Sequence, residues 1–139
     1  MTLQLLGQAP TASDRAARPL SPAVRAGDFV FVSGQVPTDE QGEIVLGGIG
    51  AQTRQVFKRL RDALALADCT LEDVCKVSVW LCDARDFPAF NRVYMECFGA
   101  HRPARSTVES RLMIDARVEI DVTAYKPLSG RVRIGNPTA

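Results

Sequence analysis

The 139-residue sequence predicts an α+β domain, a mixed β-sheet covered on one face by two helices in the order ββαβ–αββ. Two observations carry this. The stretches beginning at Ile49 and at Phe87 repeat apolar residues at helical spacing. Near the carboxyl end, Val118, Ile120, Val122 and Ala124 alternate with Glu119, Asp121, Thr123 and Tyr125, the period of a strand with one apolar face. Helices packed on that face would bury it.

Each element has its own signal. Residues 1–20, with Pro10, Pro19 and a polar Thr-Ala-Ser-Asp-Arg run, read as a loosely ordered arm. Residues 128–139, with Gly130, Gly135 and Pro137, read as a tail, which leaves a single domain with its core at about 20–126. Ala23–Ala26 is a short strand, Gly27 a turn, and the apolar run from Phe29 closes a hairpin before breaking at Gly34. From Ile49, the residues Val56, Phe57, Leu60, Leu64 and Ala67 line one side of a helix of about five turns, with Arg54, Arg61 and Asp62 opposite. Thr70 caps a short turn. The apolar run from Val74 to Leu81 is a buried strand that carries Trp80 into the core. Asp86 is placed to cap a second helix, Phe87–Phe98, in which Pro88 is tolerated in the first turn. Phe87, Phe90, Val93, Tyr94 and Cys97 supply its apolar side. Pro103 interrupts before the last two strands.

Composition narrows the function. Hydrophobic residues make up 46% and charged residues 24% of the chain, ordinary values for a globular protein. With 17 basic and 16 acidic residues interspersed, the net charge of +1 gives no electrostatic footprint of a nucleic-acid binder. No apolar run approaches the roughly 20 residues that span a bilayer. The amino terminus lacks the basic and long apolar segments of a secretion signal. Cys69, Cys75, Cys82 and Cys97 form no Cys-x-x-Cys pair, and His101, read as a surface loop residue, is the single histidine, so no metal site is expected. The cysteines read as buried small hydrophobes in a reducing cytoplasm.

Charge on the last two strands points to chemistry. Arg105, Thr107 and Glu109 share a face opposite Ser106 and Val108, and the alternation assigns them to the non-core side together with Glu119. If the strands pair, a guanidinium and a carboxylate meet there. A guanidinium fork grips a substrate carboxylate bidentately, and a nearby carboxylate moves protons or positions water. A solvated cross-strand salt bridge gives the same pattern.

Five segments resemble the RidA/YjgF family of imine and enamine deaminases. They are Val32-Ser-Gly-Gln-Val-Pro, Gln52-Thr-Arg-Gln-Val-Phe, Asp83-Ala-Arg-Asp-Phe-Pro-Ala-Phe-Asn-Arg-Val-Tyr, Pro103-Ala-Arg-Ser-Thr-Val-Glu and Val118-Glu-Ile-Asp-Val-Thr-Ala, in family order. The resemblance implies a chorismate-mutase-like fold, a homotrimer with clefts between subunits, and hydrolysis of reactive 2-imino or enamine acids without a cofactor. By the same resemblance Arg105 binds the substrate carboxylate and Glu119 stands near the attacking water. Ser33 and Gly34 line the cleft, Asn91 is the family asparagine on the second helix, and Thr107 stands where many members have cysteine. Leu20 stands where such members carry tyrosine, and the loop at 112–117 lacks their Leu-Pro. These departures keep two other readings open: a non-catalytic carboxylate-binding trimer, and a deaminase of a bulkier substrate.

Overall fold

In a computed structural model of the protein, which describes residues 3–7 and 18–128, six strands form one mixed sheet. The strands are β1 (Gln4–Leu6), β2 (Ala23–Ala26), β3 (Phe29–Gln35), β4 (Val74–Leu81), β5 (Ala104–Glu109) and β6 (Val118–Tyr125). Their order across the sheet is β1-β2-β3-β6-β4-β5, with only β4 and β5 parallel. Helices α1 (Ile49–Ala65) and α2 (Phe87–Phe98) follow β3 and β4. The expected two-helix sheet is present, with one strand more than the sequence showed. Residues 4–6, expected within a loose arm, pair antiparallel with β2. The predicted tail at 128–139 lies outside the described residues except for Leu128, as do residues 1–2 and 8–17 of the arm.

The apolar side of α1 supplies Val56, Phe57, Leu60 and Leu64, all fully buried against Val30, Val77, Val79, Val118 and Ile120 of the sheet. Phe57 meets Tyr94 and Phe98 of α2 edge to face, with ring centres 5.8 and 5.4 Å apart. Arg25, only 9% exposed, donates to the carbonyls of Ala67 at 3.0 Å and Lys126 at 3.1 Å, tying the end of α1 to the end of β6. The predicted cap at Thr70 forms as a reciprocal capping box with Asp73.

Four local expectations are corrected. Asp86 does not cap α2 with its side chain; Asp83 caps the 3₁₀ turn before it, and Asp86 instead accepts from Arg117 at 3.3 Å. Trp80 is half-buried on the helix-free face, because it alternates with the buried Val79 and Leu81. Of the cysteines only Cys69 is buried; Cys75 and Cys82 are exposed. His101 is half-buried, with its Nε2 2.6 Å from the Val74 carbonyl, and so fastens the loop after α2 to the start of β4.

Candidate active site

β5 is the edge strand, parallel to β4, with Val77 opposite Arg105 and Val79 opposite Thr107. Residues in register share a face. Val77 and Val79 lie under the helices, so Arg105 and Thr107 also point to the helix side. There the Arg105 guanidinium stands 4.5 Å from the ring centre of Tyr94, 5.6 Å from Phe87 and 5.7 Å from Phe90. Ring quadrupoles attract a cation and hold its plane. The guanidinium forms no ion pair among the described residues.

Asn91 belongs to the same neighbourhood. Phe87, Phe90, Asn91 and Tyr94 fall at i, i+3, i+4 and i+7, which is one stripe of α2. Two hydroxyls here are buried without a hydrogen-bond partner among the described residues, Thr107 Oγ1 and Tyr94 Oη. Burial pushes the Tyr94 phenol up from its usual value, and the adjacent Arg105 charge partly offsets this. A recess of about 120 Å3 is lined by Leu81, Ala84, Phe87, Thr107, Val108 and Glu109. Glu109 is engaged, accepting from the Ala84 amide at 2.6 Å.

Glu119 is on the other face. It is opposite Trp80 in the register of β4 and β6, and Trp80 is opposite Val108 of β5. The expectation that Arg105, Thr107, Glu109 and Glu119 share one non-core surface is therefore overturned. β5 and β6 do not pair; they flank β4, and Arg105 has the parity of the helix-covered side. A charged strand residue can occupy that side because β5, at the sheet edge, is only partly roofed by α2.

Glu119 has company of its own. Ser33 and Gly34 sit where the register between β3 and β6 shifts, a β-bulge. Gly34 passes so close to Glu119 that a Cβ added there would lie 3.0 Å from Glu119 Cδ and closer still to its carboxylate. Glycine is needed at this point for close approach, not for its backbone angles. The Ser33 hydroxyl is engaged, donating to the Ser21 carbonyl at 2.6 Å. Burial, with Asp121 adding repulsion, raises the pKa of Glu119 above the usual carboxylate value; burial also raises that of Asp121, against a pull from Ser78. Glu119 forms no ion pair among the described residues.

The six residues singled out from sequence thus divide into two half-sites, Arg105, Thr107 and Asn91 on one face and Glu119, Ser33 and Gly34 on the other. Sequence reasoning took Phe87, Phe90 and Tyr94 only as the core side of a helix and missed that they cradle Arg105. Their aromatic stripe at i, i+3 and i+7 was the available signal.

Comparison with known proteins agrees with this arrangement of elements. Residues 9–126 match the family model described as endoribonuclease L-PSP. RutC family protein PH0854 of Pyrococcus horikoshii is 49% identical over 110 residues, covering 78% of this chain and 87% of that protein. The 3-aminoacrylate deaminase RutC of Acinetobacter baylyi is 40% identical over 109 residues, 77% of this chain and 86% of its own. The crystal structure of yeast Mmf1 superposes with a TM-score of 0.81 at 36% identity, covering 90% of this chain and 99% of that one. The chain belongs to the RidA/YjgF family.

Proposed function

We propose that the protein hydrolyses reactive 2-imino and enamine carboxylic acids to 2-keto acids and ammonia. The observation that carries this reading is the Arg105 guanidinium, without an ion pair among the described residues, half-buried and held over three aromatic rings, an arrangement that receives a carboxylate. The relative named 3-aminoacrylate deaminase acts, by its name, on an acid of this class.

In this reading the carboxylate of the imino tautomer lies on Arg105, with Thr107 and Asn91 beside it. Water adds to the carbon of the C=N bond, and Glu119 takes a proton from that water. Glu119 returns that proton to the nitrogen to give the neutral carbinolamine, then relays the carbinolamine hydroxyl proton to the amine, so that the C–N bond breaks and ammonia leaves as the C=O bond forms. Holding the substrate against the water supplies the rate advantage without a covalent intermediate. A carboxylate with a raised pKa is suited to both proton transfers near neutrality.

Arg105 and Glu119 stand on opposite faces of one sheet, so they serve one substrate only if they come from different chains. We therefore place the reaction in a homotrimer, with Arg105 of one subunit opposite Glu119 of the next. The helix-free face supports association. Phe29, Phe31 and Tyr125 are exposed there at 43, 48 and 46%, aromatic surface that a neighbouring subunit would cover. Four free cysteines fit a reducing compartment, the cytoplasm in our reading, although a yeast relative is named as mitochondrial.

The alternative of a bulkier substrate rests on Leu20, 54% exposed where the family resemblance calls for tyrosine. Mixing chains tests the main reading. Arg105→Ala and Glu119→Gln should each abolish keto-acid release from freshly generated 2-iminopropanoate. Unfolded and refolded together in equal amounts, they should regain activity in about a quarter of the clefts, those that draw each intact residue from a different chain. No recovery, with both variants folded and assembled, would refute the shared cleft. Wild type that leaves the spontaneous rate unchanged would move weight to the bulkier substrate or to binding alone.

A further inference from the structure

A second cleft, of about 590 Å3, lies away from Arg105 and Glu119, where the loop before α1 meets the end of β4 and the start of β6. Its apolar wall is Ile44, Val45 and Leu46, and Leu46 is 94% exposed. Gln52, in the first turn of α1, lines the cleft although it is only 6% exposed. Its Oε1 accepts from the Arg117 amide at 2.8 Å, and its Nε2 donates to nothing among the described residues. The Cys82 amide donates to the Arg117 carbonyl at 2.9 Å and fixes the two neighbouring loops.

The charged groups around the cleft differ in what they already bind. Asp83 is held by Arg85 through both carboxylate oxygens, which keeps its pKa at about 2. Asp86 pairs with Arg117 at 3.3 Å, and the Arg117 side chain remains half exposed. Asp115 is exposed and has no partner among the described residues. What is left is the amide donor of Gln52, a guanidinium with N–H groups to give, and one carboxylate.

A bare cation would meet the Gln52 N–H groups and Arg117. A bare anion would meet three aspartates. A molecule with both charges satisfies each group: a carboxylate on Gln52 Nε2 and Arg117, an ammonium on Asp115. A hydrocarbon side chain would cover the Ile44, Val45 and Leu46 wall. The geometry points to a binding site for a free α-amino acid with an aliphatic side chain, separate from the deaminase site and independent of the reaction proposed for it.

Isothermal titration of the full chain with L-leucine tests this, with 4-methyl-2-oxopentanoate as the analogue lacking the ammonium and 3-methylbutylamine as the analogue lacking the carboxylate. Leucine should bind saturably, and each analogue at least about tenfold more weakly. Asp115→Asn, at an exposed position, should lose at least about tenfold in leucine affinity while keeping the wild-type melting temperature and imine turnover. Gln52→Glu, which keeps the acceptor for Arg117 and replaces the donor by a charge that repels carboxylate, should lose as much. Arg105→Ala should bind leucine normally. Absence of leucine binding, equal binding of the analogues, or binding that survives Asp115→Asn and disappears in Arg105→Ala would each overturn the assignment.

Discussion

Arg105→Lys keeps the positive charge at the proposed carboxylate site and removes the planar fork. A lysine ammonium is a compact point charge, so one of the two parallel N–H···O contacts to a bound carboxylate is lost. A hydrogen bond to a charged group contributes about 1.5–3 kcal/mol. At 1.4 kcal/mol per factor of ten, kcat/KM should fall roughly ten- to a hundredfold. The fold should notice less. Among the described residues Arg105 has no ion pair to lose, and its ring contacts at 4.5, 5.6 and 5.7 Å are worth about 0.5–1 kcal/mol in total at a half-exposed site. That corresponds to a melting temperature lower by about 2–5 °C. Keto-acid release from 2-iminopropanoate generated in situ, measured beside thermal unfolding of the same preparation, separates the two effects. A lysine variant within about twofold of wild type in kcat/KM would show that the guanidinium does not grip the substrate bidentately.

Three other substitutions address the remaining groups. Gly34→Ala places a methyl against Glu119 and pushes its carboxylate aside, so turnover should drop on the order of tenfold or more with little change in melting temperature, read from kcat and a thermal scan. Thr107→Val removes a buried hydroxyl that has no partner among the described residues, so stability should hold or rise, while kcat/KM falls if the hydroxyl contacts substrate; denaturant unfolding and kinetics report the two separately. Glu119→Gln tests the raised pKa. An acid whose folded value lies above its unfolded value destabilises the fold when ionised, fully above the folded pKa and not at all below the unfolded one. The variant should therefore melt higher than wild type at neutral pH, and the two should converge as pH falls to about 4. A gap independent of pH would assign the difference to packing instead.

Much of the fold was legible because its signals are local. Helical spacing in α1, the capping box at Thr70 and the alternation of β6 each state their structure within a dozen residues. What the sequence could not show was parity between strands. Alternation in β5 says that Arg105, Thr107 and Glu109 share a face; it does not say which face. The assignment to the helix-free side assumed that charge avoids helices. That fails at a sheet edge, where α2 covers β5 only in part and aromatic rings can receive a guanidinium. Trp80 was misjudged for a related reason, since a continuous apolar strand reads as buried on both sides. β1 left no trace, being three residues long and defined only by its pairing with β2.

The same parity bears on why such a site should be divided. A three-carbon imino acid spans only about 5 Å, little more than the 3.8 Å between neighbouring Cα atoms, so it cannot contact groups on both faces of one sheet. Within one chain, Arg105 and Glu119 also cannot neutralise each other, and among the described residues both are without an ion pair. Had the strands presented them side by side, the pair would have closed into a salt bridge, and a substrate carboxylate would first have had to break it. Keeping the guanidinium over its three rings and the carboxylate beside Gly34 leaves each ready for a partner. In the proposed trimer that partner is the substrate for Arg105 and its water for Glu119. Burial then acts on Glu119 in the useful direction, since a carboxylate that ionises less readily both accepts a proton from water and returns it to a departing amine at neutral pH.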